Sequence, residues 1–105
     1  MYIKIDDTKY KVITMNTFFK RLKGLMFIKK PITNIYLFPK CSKIHTLFMK
    51  QNIDICILDK NYNILYKESN VKKNRFIIKK GYYTLEMPLN SSKSLKLNTK
   101  IKLIK

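Results

Sequence analysis

The sequence has no alanine, no tryptophan, only two glycines and only six acidic residues among its 105. The absence of alanine excludes an alanine-rich helical bundle, and two glycines exclude a collagen repeat or a glycine-rich loop that cradles phosphates. No apolar run approaches the ~20 residues of a membrane-spanning helix. A chain of this length has room for one core, so we expect a single domain over residues 1–105.

The scarcity of acids leaves a large positive charge, since 23 basic residues give a formal net charge of +17. Such a charge attracts polyanions at low salt. The composition therefore favours a polyanion, bound weakly and non-specifically, as the partner. All the basic residues except Arg21 and Arg75 are lysines, and they are spread along the chain. Base and phosphate recognition tends to use the flat fork of arginine, so compositional bias is the preferred explanation of the charge.

Residues 1–7 show no basic segment followed by an apolar run, so we expect a cytoplasmic protein with reduced cysteines. Cys41, His45 and Met49 recur at every fourth position, which would align them on a helix. We predict that this segment is a loop followed by a strand, in which residues at this spacing are not brought together around one metal ion. The expectation is therefore no metal ion and no other cofactor, with the oligomeric state open.

Short alternating or apolar runs separated by polar turns dominate the chain, which is typical of strands. The predicted strands and extended segments are 2–5, 9–14, 35–38, 46–49, 53–58, 64–67, 76–78, 82–87 and 101–103. The run 53–58 is apolar on both parities except for Asp54, the pattern of a central strand that is covered on both faces. The intervening segments 40–45 and 68–75 are predicted loops.

One helix is predicted near the start, capped by Asn16 or Thr17 and ended by Gly24. Its helical periodicity rests on three apolar residues: Phe18, Leu22 and Leu25. The predicted fold class is therefore α+β and β-rich. It consists of a small antiparallel-rich curled sheet or barrel of about seven or eight short strands, with one short helix in the N-terminal half.

Four segments in order resemble a known family: 24–27 (Gly-Leu-Met-Phe), 41–49 around His45, 53–59 with its two aspartates, and 85–88 (Leu-Glu-Met-Pro). Over about residues 12–104 the chain resembles the domain of unknown function 192 family. The resemblance implies a compact β-rich fold with a short helix near the start, and it implies no activity. The chain departs from the family pattern where Leu89-Asn90 and Asn98-Thr99 replace segments that usually contain glycine.

Three polar side chains stand in apolar surroundings: His45, Asp54 and Glu86. A buried carboxylate needs partners or a solvent-exposed cleft, because an unpaired buried charge costs several kcal/mol. We therefore predict that these three approach one another in a ligand-binding cluster, with Thr46 and Asp59 as outer neighbours. A structural His–Asp contact that ties a loop to the sheet explains the same residues.

Three functions remain open at this point. The first is a small binding or accessory module built around the His/Asp/Glu cluster. The second is a hydrolase-like enzyme in which His45 acts as a base beside a carboxylate, making His45, Asp54 and Glu86 the catalytic candidates. The third is a basic protein that binds nucleic acid non-specifically.

Overall fold

The computed structural model describes residues 1–15, 30–40, 43–45, 50–73 and 75–105, with residues 43–45 described as backbone only. The described residues form nine strands and no helix. The strands are β1 (Tyr2–Ile5), β2 (Thr8–Thr14), β3 (Ile35–Pro39), β4 (Lys43–His45), β5 (Ile53–Leu58), β6 (Ile64–Val71), β7 (Phe76–Ile78), β8 (Tyr83–Met87) and β9 (Leu103–Ile104).

Seven of these strands form one mixed sheet in the order β6-β5-β8-β3-β2-β1-β9. β2 and β3 are parallel, and the other neighbours are antiparallel. Tight polar turns make the two hairpins: Asp6 has a φ of 54° between β1 and β2, and Tyr62 has a φ of 66° between β5 and β6. Both hairpins are where the turn chemistry of the sequence predicts them.

The two ends of the strand order meet, so the sheet curls on itself. Backbone hydrogen bonds join Ile64 N to Thr99 O at 2.9 Å, Asn98 N to Ile64 O at 2.8 Å, and Ile101 N to Tyr62 O at 2.9 Å. The inner face of the curled sheet carries the larger core. Its buried residues come from both ends of the strand order: Ile3, Ile5, Val12, Ile35, Leu37, Cys56, Leu58, Ile64, Leu85, Met87 and Ile101.

The outer face of the sheet carries a second, smaller core. Its buried residues are Ile32, Ile53, Ile55, Ile57, Val71 and Ile77. Ile77 belongs to a separate two-stranded sheet made by β4 and β7, so this small sheet lies over the outer face. β5 is buried along its whole length because both of its faces are covered, as its apolar pattern predicts.

The α+β class predicted from the sequence is wrong, because the described residues are all-β and their sheet is mixed. The predicted helix over 16–24 lies outside the described residues, as does the extended segment 46–49. Two predicted loops contain strand residues instead, since residues 43–45 form β4 and β6 continues to Val71. These segments were predicted as loops because their side chains are polar. An edge strand with one solvent-exposed face also tolerates lysine, glutamate and serine at alternate positions.

Among the described residues, no helix is long and apolar enough to cross a membrane.

Candidate functional site

Asp54 lies at the start of β5 on the inner face, where it is fully buried. Its Oδ1 accepts hydrogen bonds from Ser69 Oγ at 3.0 Å, Asn70 N at 2.9 Å and Asn90 N at 3.0 Å. Its Oδ2 accepts from Ser92 N at 2.9 Å and Ser92 Oγ at 2.6 Å. One carboxylate therefore joins β5, β6 and the loop that follows β8.

These hydrogen bonds decide the charge state of Asp54. Burial acts to raise its pKa, but the hydrogen bonds from Ser92, Asn70 and Asn90 outweigh burial, and the net shift of the pKa is downward. Asn70 and Asn90 have positive φ angles of 57° and 68°. Asn70 also sits in an irregularity of the β5–β6 ladder, where Ile53 pairs with Val71 but Ile55 pairs with Glu68. Asp54 thus holds a bulge and a loop in conformations that cost energy.

Glu86 lies in β8 on the outer face and is only 6% exposed. In the ladder it stands between Tyr36 of β3 and Ile55 of β5. None of the described residues donates a hydrogen bond to its carboxyl group. Burial alone raises the pKa of Glu86 to about 7.

The two carboxylates are close along the sheet but point to opposite sides of it. Asp54 pairs with Met87, whereas Glu86 pairs with Ile55 on the same two strands. Directly opposite residues of an antiparallel pair share a face, and successive residues alternate faces. Because Met87 belongs to the inner core and Ile55 to the outer core, the sheet itself separates Asp54 from Glu86.

A second polar group lies on the outer face beside Glu86. Glu68 of β6 pairs with Ile55 on the side opposite to Glu86, so their Cα atoms are about 10 Å apart, two strand spacings. Arg75 donates to Glu68 through Nη1 at 2.8 Å and Nη2 at 3.2 Å, and the Tyr66 hydroxyl donates to it as well. The Arg75 and Tyr66 hydrogen bonds lower the pKa of Glu68.

Tyr66 and Lys79 complete this outer-face group. Burial, together with the hydrogen bond to Glu68, raises the pKa of Tyr66 to about 12. Lys79 Nζ lies 4.9 Å from the centre of the Tyr66 ring, within the range of a cation–π contact. Sequence reasoning missed this group because residues 68–75 were predicted as a loop. The spacing of Tyr66 and Glu68, two residues apart on the outer face, is the signal that could have extended the strand.

His45 ends β4, with its backbone opposite Phe76 of β7. Phe76 directly follows Arg75, which binds Glu68, and β7 packs on the outer face through Ile77. The backbone of His45 is thus on the same side of the main sheet as Glu86. The imidazole ring of His45 and the whole of Thr46 lie outside the described residues.

Asp59 follows the other end of β5, five residues or roughly 16 Å along the strand from Asp54. Its Oδ1 accepts hydrogen bonds from Asn61 N at 2.8 Å and Asn63 N at 2.9 Å, and its Oδ2 accepts from Asn63 Nδ2 at 3.0 Å. The Asn63 side chain is the main cause of the lowered pKa of Asp59. These contacts shape the β5–β6 turn.

The thiol of Cys56 is free and buried in the inner core. Burial raises the pKa of Cys56 to about 12, so the group is a neutral thiol at ordinary pH and a poor nucleophile. Cys41 and Met49 lie outside the described residues. Within the described part, no three side chains of His, Cys, Asp or Glu are grouped to hold a metal ion.

Comparison with solved structures finds the same fold in two other proteins. A protein of unknown function from Novosphingobium aromaticivorans superposes with a TM-score of 0.80 at 14% identity, over 97% of this chain and 82% of that one. A candidate transcription regulator from Sinorhizobium meliloti gives a TM-score of 0.80 at 14% identity, over 96% of this chain and 89% of that one. At such low identity, these similarities concern the fold alone.

No curated protein matches the sequence. Residues 1–103 match the model of the domain of unknown function 192 family, described as an uncharacterized ACR. The match covers nearly the whole chain, including the segments around Asp54 and Glu86 on which the resemblance rests. The chain therefore belongs to the domain of unknown function 192 family.

Proposed function

We propose that this domain is a small binding module whose ligand contacts Glu86 on the outer face of the sheet. The observation that carries the proposal is the buried carboxyl group of Glu86, with a pKa near 7 and no hydrogen-bond donor among the described residues. No side-chain oxygen or nitrogen of the described residues is both fully buried and unpaired, so the Glu86 carboxyl group, on a residue that is 6% exposed, keeps an edge that a ligand can reach. A largely buried carboxyl group without a donor costs free energy, and a ligand that supplies the donor recovers it. Glu86 is thus suited to receive a hydrogen bond from outside the described part of the protein.

The electrostatic field of the positively charged protein limits the class of ligand that the site can bind. A formal net charge of +17 repels small cations from the whole molecule. A neutral or zwitterionic compound with a hydroxyl, amide or amine donor avoids most of this electrostatic repulsion. We therefore infer that the ligand is a small polar organic molecule rather than a free metal ion.

The elements around Glu86 indicate that the rest of the proposed site also lies on the outer face of the sheet. Tyr36 flanks Glu86 in the ladder, and β4 brings the backbone of His45 to the outer face. We include His45 and Thr46 in the proposed site for this reason. Asp54 and Asp59 belong to the framework in this proposal, because their oxygens already accept hydrogen bonds from the protein.

Acid–base catalysis is a second candidate function, favoured by one observation. A carboxyl group with a pKa of about 7 can both give and take a proton near neutral pH, which general acid–base chemistry requires. In this alternative Glu86, rather than Asp54, is the carboxylate that works with His45. A hydrolase-like activity that falls in the Glu86→Gln variant, with a pH profile inflecting near 7, would distinguish catalysis from binding.

The binding proposal can be tested on the full chain at pH 8, where Glu86 is mostly ionised and a donor helps most. Thermal melting is measured with glucose, glutamine and glycine as probes of hydroxyl, amide and zwitterionic amine donors, and native mass spectrometry looks for a bound compound that survives purification. We expect at least one probe or a retained compound to stabilise the wild type and to lose its effect in Glu86→Gln.

Glu68→Gln is the matched control, because it removes a carboxylate from the same face that already has protein partners. It should keep the response to the probe. Equal responses of Glu86→Gln and wild type, or no response and no retained compound in either, would reject the proposed site.

A further inference from the structure

The β1–β2 hairpin gathers three lysines on the outer face of the sheet. Ile3 belongs to the inner core, so its neighbours Tyr2 and Lys4 point outward. Lys9 of β2 stands directly opposite Lys4, and directly opposite residues share a face. Lys11 stands directly opposite Tyr2 in the same ladder. These four residues therefore lie together on the outside of one hairpin, and we call them the hairpin lysine cluster.

The hydrogen-bonding pattern of the hairpin brings the clustered side chains close to one another. Val12 N donates to Met1 O at 2.9 Å, which extends the register by one hydrogen-bonded pair. Pairs alternate along an antiparallel ladder, so the pairs that contain Lys4 and Lys11 are not hydrogen-bonded, and their Cα atoms are about 4.5 Å apart. Lys9 and Lys11 are two residues apart on β2, a distance of about 7 Å. Three ammonium groups can therefore reach one anion or adjacent anions.

The positive charges of the cluster are not neutralised by the protein. The three lysines are exposed, and none of them forms an ion pair with a carboxylate of the described residues. Lys9 Nζ lies 4.4 Å from the centre of the Tyr2 ring, a cation–π contact that positions the ammonium group and keeps its charge. Like charges directly opposite each other in a sheet are destabilising, and Lys4 and Lys9 are such a pair. A bound anion would remove this repulsion.

We propose that the hairpin lysine cluster binds the phosphate backbone of single-stranded nucleic acid. A single strand carries one negative charge per nucleotide, so neighbouring phosphates can face neighbouring lysines. A lysine ammonium group acts on phosphate as a point charge, and contacts to phosphate carry no base information, so the binding should not depend on base sequence. Composition sets the number of lysines in the chain, whereas the pairing of β1 with β2 concentrates three of them on one face.

Two other anionic partners match the cluster less well. A lipid surface takes up exposed apolar side chains together with basic ones. None of the exposed large hydrophobic side chains among the described residues lies in β1 or β2. An acidic peptide supplies carboxylates but no bases, whereas Tyr2 is half-buried and leaves part of its ring for a base to contact. The cluster therefore favours nucleic acid over both.

Fluorescence anisotropy of a labelled oligothymidylate, titrated with the full chain at a series of salt concentrations, tests the proposal. The variant is Lys4→Gln/Lys9→Gln/Lys11→Gln. We expect it to bind at least about tenfold more weakly than wild type at low salt. The slope of log affinity against log salt should become shallower by about 2, since each lost phosphate contact removes about 0.7.

The matched control is Lys50→Gln/Lys73→Gln/Lys80→Gln, which removes the same charge from exposed lysines outside the hairpin. It should stay within about threefold of wild type, and both triple variants should keep the wild-type melting temperature because the replaced side chains are exposed. Equal affinities of the two triple variants for oligothymidylate would overturn the proposal. Poly-glutamate that binds the wild type as tightly, and is lost in the hairpin variant, would assign the cluster to acidic peptides instead.

A second measurement uses the wild type alone. Oligothymidylate should shift the backbone amide signals of residues 2–4 and 9–11 in NMR spectra more than those of residues 72–80. Oligoadenylate should shift the same signals, because the contacts are to phosphate. Shifts that leave residues 2–4 and 9–11 unchanged would show that nucleic acid binds elsewhere and would reject the hairpin as its site.

Discussion

Asp54 and Glu86 are buried carboxyl groups on adjacent strands, within one ladder step of each other, yet their environments are opposite. Asp54 faces the inner core and accepts five hydrogen bonds from described residues, which lower its pKa. Glu86 faces the outer core with no such donor, and burial raises its pKa to about 7. The side of the strand, rather than the depth of burial, decides whether each acid has hydrogen-bond donors among the described residues.

Replacing Asp54 by alanine should have the largest effect on stability. The variant leaves the donors of Asn70, Asn90 and Ser92 without their acceptor, and we expect a loss of about 3–5 kcal/mol in the free energy of unfolding. Urea denaturation at pH 7 measures it. Asp7→Asn, at an exposed turn, is the control and should stay within about 0.5 kcal/mol of wild type.

The acid limb of the stability curve adds a second readout for Asp54. A lowered folded-state pKa contributes stability that is complete above the unfolded-state value of about 3.9 and is lost as the pH falls through the folded-state value. Asp54→Ala should therefore show a shallower loss of stability in acid than wild type. An unchanged acid limb would contradict the structural role assigned to this carboxylate.

Glu86→Gln should change the free energy of unfolding in the opposite direction from Asp54→Ala, since it should stabilise the protein at high pH. A pKa raised to about 7 means that the folded state keeps a proton that the unfolded chain releases above about 4.3, so wild-type stability falls as the pH rises between these values. The variant removes this fall. The gain at pH 8 should be at most about 4 kcal/mol.

Urea denaturation from pH 4 to pH 8 checks the Glu86 prediction, and Glu68→Gln serves again as the carboxylate control. Parallel pH profiles for wild type and Glu86→Gln would show that Glu86 has an ordinary pKa, and the contrast with Asp54 would then disappear.

The donors to Asp54 differ in burial, which gives a graded test. Ser92 is fully buried and its hydroxyl donates at 2.6 Å, whereas the hydroxyl of half-buried Ser69 donates at 3.0 Å. Ser92→Ala should cost about 2 kcal/mol, and Ser69→Ala about 1 kcal/mol. Both should raise the pKa of Asp54, measured by NMR of its carboxyl carbon. A larger cost for Ser69→Ala would reverse the assignment of the dominant donor.

Glu68 is the intermediate case, with two partners and partial exposure. Glu68→Gln should cost less than about 1 kcal/mol, since the ion pair with Arg75 is partly exposed to solvent. It should also lower the pKa of Tyr66 from about 12 toward its ordinary value of about 10, because a charged acceptor is replaced by a neutral one. Ultraviolet titration of the tyrosines measures the change; Asp59→Asn should leave Tyr66 unaltered.

The sequence predicts β5 and both hairpins because their signals are local. Apolar residues on both parities indicate a strand covered on two sides, and Asp59 with Asn61 and Asn63 is typical of a tight turn. The separation of Asp54 from Glu86 is not local. It depends on which residue of β8 stands opposite which residue of β5, and shifting that register by one residue would put both acids on one face.

The bulge at Asn70 could not be predicted from the sequence either. Its backbone conformation is stabilised by Asp54, which lies 16 residues away along the chain. A polar stretch such as 68–71 therefore resembles a loop until the acceptor for its backbone is known.

The closure between residues 62–64 and 98–101 has a consequence for how the protein is made. β9 pairs with β1, so Tyr2 of β1 waits for its partner Ile104 of β9 to be synthesised. During translation the inner-core residues from Ile3 to Met87 remain without their final cover until the segment after Asn98 has left the ribosome. Completion of the sheet is thus a late event, and sequence-distant pairing of this kind slows the search for it.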